Sequence, residues 1–242
     1  METDFERKYH SLERTHWWFV SRRELIYRMI RQYDKNIKIL EIGCSSGPLI
    51  EILNEAGYEN VYGLDVSKEA IQLCRSKGMT KVVQMEGAEL GFKENVFDLI
   101  IASDVLEHIH DDSQAILEWK RVLKKKGDII AFVPAFKFLW SGHDVVNRHF
   151  RRYNKREFKE LFEKNECNIV RISFWNFLLF LPVLIHRRIE KKKAKSAKPK
   201  DDLFEFSHKA NIFFSLILKM ENMYCRFFNL PVGLSLFVIA KK

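Results

Sequence analysis

At 242 residues, with an ordinary 47% hydrophobic content, the chain can bury a full core, and one α/β domain with an insertion is the starting expectation. Much of the formal net charge of +9 lies between Arg187 and Lys200, a local feature rather than a nucleic-acid-binding face. Scattered cysteines without zinc-type spacing read as reduced thiols, the charged start lacks a secretory leader's apolar segment, and no apolar run reaches the roughly 18 residues of a membrane span, so a cytoplasmic protein is expected.

Residues 1–36 read as helical. Tyr9, His10, His16, Trp17, Trp18 and Phe19 cluster there ahead of Arg22 and Arg23. The tryptophans either pin this segment to the core or edge a lid over a cleft, since aromatic rings with a polar tip suit a pocket rim. Residues 38–42 form an apolar run that contains Glu41 and ends in the turn Gly43-Cys44-Ser45-Ser46-Gly47, and Pro48 opens a helix over 48–56. A strand, a tight glycine turn and a helix N-terminus make the place where open α/β sheets bind nucleotides. Strand two is 61–64, followed by Asp65. Ser67 caps a helix over 68–76. Strand three lies near 81–85 and precedes Glu86-Gly87. Strand four is 97–102, followed by Ser103-Asp104-Val105-Leu106-Glu107-His108.

A helix over 113–124 is expected next, with Lys124, Lys125 and Lys126 against its negative end. Strand five is 128–133. The loop that follows holds Trp140-Ser141-Gly142-His143-Asp144 and His149-Phe150-Arg151-Arg152-Tyr153. Asn154 and Glu157 form a capping box for a helix over 155–164. Strand six is 167–172 and the last strand 234–240.

Gly43 and Asp65 stand at the spacing of a glycine loop and a ribose-binding acid, but Gly43 to Gly47 reads G-x-x-x-G rather than the dinucleotide G-x-G-x-x-G. With Glu41 ahead of the loop and Leu106-Glu107-His108 after strand four, the chain resembles the class I S-adenosylmethionine-dependent methyltransferases. Their usual loop reads acid-x-G-x-G-x-G, and Ser45 takes the middle glycine's place. The resemblance covers about residues 38–172 and 232–242. It implies a Rossmann-like seven-stranded sheet of order 3-2-1-4-5-7-6 with strand 7 antiparallel. The subdivisions expected are an N-terminal helical lid (1–36), the core (37–172), a helical insertion between strands 6 and 7 (173–231) and the last strand (232–242).

It also implies S-adenosylmethionine as cofactor. Gly43, Cys44 and Gly47 would meet its methionyl part, and Glu41 its ammonium. Asp65 and Val66 would flank the ribose, Glu86 and Gly87 read adenine, and Ser103 lie near the transferred methyl. The pairing of HWWF…RR with HD…H-x-RRY looks like a bacterial subgroup that modifies glycans, lipids or secondary metabolites. His108 and His143 are the candidate catalytic bases, with Asp144 orienting the His143 ring. Trp17, Asp144, Arg151, Arg152 and Tyr153 are the candidate acceptor-binding residues, the arginines for an acidic group. No metal is the primary expectation. A secondary one places a divalent ion on Asp104, Glu107 and His108, with His143, by resemblance to the E-x-x-E-H element of some O-methyltransferases.

Residues 174–185 are almost wholly apolar, and Arg187, Arg188, Lys191, Lys192, Lys193, Lys195, Lys198 and Lys200 follow. This pairing suits peripheral attachment to an anionic membrane surface through 174–200; packing in the core or an interface, with a solvated basic linker, is the alternative. Residues 207–228 read as an amphipathic helix with Phe213, Phe214, Leu216, Ile217, Leu218 and Met220 on its apolar side, able to pack as a lid. The expected function is methyl transfer to a small-molecule, glycan or lipid-linked acceptor, on oxygen. The alternative is a non-catalytic binding protein at a membrane-associated biosynthetic complex. Nucleic acid is not an expected partner, because the basic run lacks interleaved aromatics.

Overall fold

The computed structural model describes residues 3–193 and 206–242. Helices α1 (Thr3–Leu12) and α2 (Trp17–Ile30) lead into strand β1 (Ile39–Ile42). The chain then alternates through α3 (Pro48–Glu55), β2 (Val61–Asp65), α4 (Lys68–Ser76), β3 (Val82–Gln84), β4 (Phe97–Ser103), α5 (Asp112–Val122) and β5 (Leu123–Pro134). Short α6 (Gly142–Val146), α7 (Lys155–Lys164), β6 (Asn168–Trp175), α8 (Phe180–Lys193), α9 (His208–Cys225) and β7 (Ser235–Lys241) complete it.

The seven strands are ordered β3-β2-β1-β4-β5-β7-β6. β1 to β5 run parallel, and β7 inserts antiparallel between β5 and β6. This is the topology the sequence resemblance implied. β1 is buried along its whole length between β2 and β4, which explains why Ile39, Leu40 and Ile42 are apolar and leaves Glu41 as the one polar side chain in it. After β1 the chain turns one way to β2 and β3, and β4 and β5 lie on the other side. The switch between β1 and β4 leaves a crevice beyond the C-terminal strand ends, where Gly43, Asp65 and Ser103 stand. Local signals act as expected: the Ser67 hydroxyl accepts from the Ala70 N–H, and Asn154 and Glu157 close a capping box.

The expected N-terminal helices are two, α1 and α2, and Glu13 in the turn between them binds the glycine loop. Three expectations are corrected. α5 stops at Val122, and β5 begins at Leu123. Lys124, Lys125 and Lys126 therefore belong to the strand, and Lys124 pairs with Asp98 instead of a helix end. β6 runs on to Trp175, since Phe174 and Trp175 are core residues. Finally, α9 packs against α2 with Leu218, Glu221, Asn222 and Cys225 inward. Phe213, Leu216 and Met220 face outward instead of forming a lid. Of the expected basic run, Lys195, Lys198 and Lys200 lie outside the described residues.

Candidate active site

A cavity of about 1060 Å³ opens at the C-terminal strand ends. Gly43, Ser45, Asp65, Val66, Glu86 and Gly87 line it from the β1–β3 side. His108, His143, His149 and Arg152 line it from the loops after β4 and β5, with Ser103 and Asp104 at the end of β4. Tyr9, His10, His16 and Trp17 contribute from α1 and α2, and Val183, His186 and Arg187 from α8.

The glycine loop is shaped by backbone need. Gly43 has φ +73°, and a Cβ there would meet Val105 Cγ2 at 2.6 Å. Ser45 also adopts a positive φ, +50°, which is costly for a residue with a side chain. Its hydroxyl donates to Glu13 Oε2 at 2.7 Å, and Ser46 Oγ donates to Glu13 Oε1. Glu13 is buried, and hydrogen bonds from His10, Ser46 and Ser45 outweigh desolvation to hold its carboxyl below the usual range. Asp65 is aimed by the main chain. Its two oxygens accept from the Ser45 and Ser67 N–H groups, both at 2.9 Å.

Several expected cofactor residues are not on the cavity wall. Cys44 is buried under the loop against β2, and Gly47 serves the turn into α3 with φ +85°. Glu41 is buried behind the loop, where desolvation pushes its carboxyl well above the usual range. The Gly87 carbonyl is already taken by the Trp119 indole N–H at 2.7 Å, which leaves its N–H and open face for a ligand.

The far wall departs further from expectation. Asp144 orients His149, not His143: Asp144 Oδ1 lies 2.9 Å from His149 Nδ1 and accepts from Arg152 Nε at 2.7 Å, while Oδ2 accepts from the Ser141 N–H. Arg148, with φ +56°, reverses the chain so that the His149 ring folds back on Asp144. Hydrogen bonds and charge from His149 and Arg152 overcome burial and hold Asp144 well below the carboxylate range. Arg152 is buried and also donates through Nη1 to the Ala135 carbonyl, so two of its three nitrogens are committed to the protein. Arg151 pairs with Asp112 and donates to the His110 carbonyl, and the Tyr153 hydroxyl donates to Asp112. Neither Arg151 nor Tyr153 reaches the cavity wall, whereas Trp17 does.

His108 packs edge-on to His149, with ring centroids 4.6 Å apart. Desolvation, then the neighbouring His149, drive its pKa down to about 3, so it is neutral. The expected metal set is not assembled as drawn, because Asp104 accepts from Arg22 at 2.8 Å and from Ser103. Glu107, His108 and His149 instead bring one ligand atom each within 4.8 Å of one another, a mixed oxygen and nitrogen set suited to a divalent transition ion.

Arg22, present in the sequence as part of HWWF…RR, had no role assigned to it. It is 2% exposed, stacks over Trp18, Phe132 and Trp175 at 4.3–4.6 Å, and donates to Ser103, Asp104 and Ser235. It ties α2 to the ends of β4 and β7. The motif does not announce this role, since most of its partners come from distant segments.

Residues 40–131 match the family model described as "Methyltransferase domain". The chain is 27% identical over 162 residues to a probable S-adenosylmethionine-dependent methyltransferase of Mycolicibacterium smegmatis, covering 65% of this chain and 62% of that one. It is 34% identical over 105 residues to the ubiquinone biosynthesis O-methyltransferase of Pelagibacter ubique, covering 40% of this chain and 43% of that one. An Archaeoglobus fulgidus SAM-dependent methyltransferase structure superposes with a TM-score of 0.61 at 20% identity, covering 97% of this chain and 99% of that one.

The chain belongs to the class I S-adenosylmethionine-dependent methyltransferases.

The wall of this methyltransferase fits S-adenosylmethionine. Asp65 is fixed by two amides, and a carboxylate has room for further hydrogen bonds to ribose hydroxyls. A Cβ on Gly87 would sit 3.1 Å from Ile42 Cγ2, so the wall is shaped around its absence, beside apolar Met85 and Ile109. Glu41 stands behind this wall, its buried Oε2 without a hydrogen-bond partner among the described residues.

Proposed function

We propose that this chain transfers a methyl group to a hydroxyl of a small-molecule, glycan or lipid-linked acceptor on the cytoplasmic side of a membrane. One observation carries the reading: a single cavity joins the Gly43–Asp65–Glu86 wall to a histidine backed by a buried carboxylate. S-adenosylmethionine, when bound, supplies a methyl already activated on sulfonium.

The protein must place the acceptor in line and take its proton. Alignment is worth several orders of magnitude in rate. His149 donates Nδ1–H to Asp144, which presents Nε2 as the proton acceptor. Asp144 is itself held by Arg152 and the Ser141 amide, so the ring is oriented in advance. His108, held neutral by burial, packs edge-on beside the His149 ring and adds no charge to the site. His143, 6.0 Å from His149 between ring centroids, completes the acceptor wall with Trp17. The similarity to a ubiquinone biosynthesis O-methyltransferase supports an oxygen acceptor, as does the lack of a D/N-P-P-Y signature of amino-group methylators.

The test uses methyl-labelled cofactor with aqueous, lipid, RNA and protein fractions of a bacterial extract. Label should enter the lipid or aqueous fraction, and His149→Gln should lower it by about 10²-fold or more while cofactor affinity changes less than about twofold. Label confined to RNA or protein contradicts the reading. Cofactor binding without label in any fraction supports the non-catalytic alternative. The convergence of Glu107, His108 and His149 favours a second reading, a divalent ion at the acceptor. Transfer abolished by chelation and restored by a transition ion supports that second reading over a free base.

A further inference from the structure

The outward side of the inserted helices is apolar without a covering element among the described residues. On α9, Phe213, Leu216, Met220 and Met223 are 59%, 54%, 62% and 59% exposed, and their three- and four-residue spacing sets them in one stripe. Phe227 and Phe228 extend it past the helix end. Such a run exceeds the scattered apolar exposure of an ordinary surface.

Among the described side chains, the charged ones exposed beside the stripe are cations: Lys209, Lys219 and Arg226. The one acid of α9, Glu221, is buried and accepts from the Asn176 and Leu178 N–H groups. Those bonds seat exposed Phe177 and Leu178 against α9 and so join the stripe to α8. On α8, Leu181, Ile185 and Ile189 recur every four residues on the exposed side with Arg188 beside them, while Val183, His186 and Arg187 line the cavity. One helix thus has an apolar outer face and a cavity-lining inner face. Among the described residues no helix is long and apolar enough to cross a membrane.

We infer that the α8–α9 face seats on the surface of an anionic lipid bilayer, with the cavity mouth beside α8 turned toward the lipid. An apolar stripe rimmed by cations is the pattern that enters the headgroup boundary, each cation drawn by the negative surface. A second copy fits the face less well, since two-fold pairing would bring like cations together. The inference goes beyond the methyl-transfer reading and is measured without it.

The experiment is flotation of the full chain with vesicles of neutral phosphatidylcholine, or of phosphatidylcholine mixed with phosphatidylglycerol. The protein should float with the anionic vesicles alone, and salt should weaken binding. Lys209→Glu with Lys219→Glu should lower the partition coefficient by at least about tenfold, near fivefold for each cation. Phe213→Ser with Met220→Ser, both exposed and away from the cavity, should abolish flotation while thermal unfolding and cofactor binding stay unchanged. No flotation with anionic vesicles overturns the inference, as does equal flotation of both double variants. Sedimentation as a dimer that Phe213→Ser with Met220→Ser dissolves, with no lipid binding, assigns the face to a second copy instead.

Discussion

The two walls of the cavity are built differently. On the cofactor wall, polar side chains are aimed by backbone amides: Asp65 rests on the Ser45 and Ser67 N–H groups at the end of a buried strand. On the acceptor wall, side chains are aimed by one another, as in His149–Asp144–Arg152 and Arg22–Asp104–Ser103. An amide keeps its place as long as the strand does, whereas a side-chain network stands or falls with each member. Changes on the acceptor wall should therefore cost folding as well as chemistry. Changes on the cofactor wall should mainly cost affinity.

The largest expected effect comes from Asp144→Ala. It leaves Arg152 buried without its carboxylate, and denaturant unfolding should show a loss of about 3–5 kcal/mol. A loss under about 1 kcal/mol would mean that water relieves Arg152 and that the wall is less tightly coupled than drawn. Next in size is Asp65→Asn, which keeps an acceptor for one amide but removes the charge. Calorimetric affinity for S-adenosylmethionine should fall about ten- to hundredfold, with stability changed by only about 1 kcal/mol. The reverse pattern would erase the contrast between the walls.

The smallest effect concerns pH. His16 caps α2 by accepting from the Trp18 N–H, and desolvation by burial holds its pKa at about 4. The unfolded histidine titrates near 6.5, so between these values the unfolded chain binds a proton that the folded chain refuses. Stability should therefore be full above pH 6.5, fall by an amount on the order of 1 kcal/mol as pH drops toward 4, and lose nothing further through this group below that. His108, at about 3, adds to the slope over the same range and carries it lower. His16→Asn retains a capping acceptor, and melting curves should show a shallower slope between pH 6.5 and 4 with the part below 4 unchanged.

The same contrast governs what could be read from the sequence. The glycine turn, Asp65 and the caps at Ser67 and Asn154 were legible because each depends on a few neighbouring residues, while the strand order came with the family resemblance. Asp144 was visible as a partner for a histidine, but the sequence pointed to His143 next door. The positive φ at Arg148 brings His149 back instead, and nothing local announces that turn. Arg152 looked like an anion-binding fork, and its Nε and Nη1 are occupied from within. Glu13 and Arg22 reach partners far along the chain, beyond any local pattern. The apolar side of α9 was recognised, but which way it faced depended on α2 taking the other side.

The position of β7 has a consequence for synthesis. Among the described residues, apart from the isolated bridge between Phe174 and Leu230, β6 pairs with β7 alone, and β7 also closes the far edge of β5. While a ribosome is still translating residues 176–234, the sheet can assemble from β3 to β5, but β6 has no strand to join. The edge of β5 stays open, and Arg22 lacks its Ser235 partner. Long-range pairing of this kind is slow and leaves a strand edge exposed meanwhile. A nascent chain stalled before Ser235 would hold a formed cofactor wall beside an unfinished sheet edge, the species a chaperone would meet first.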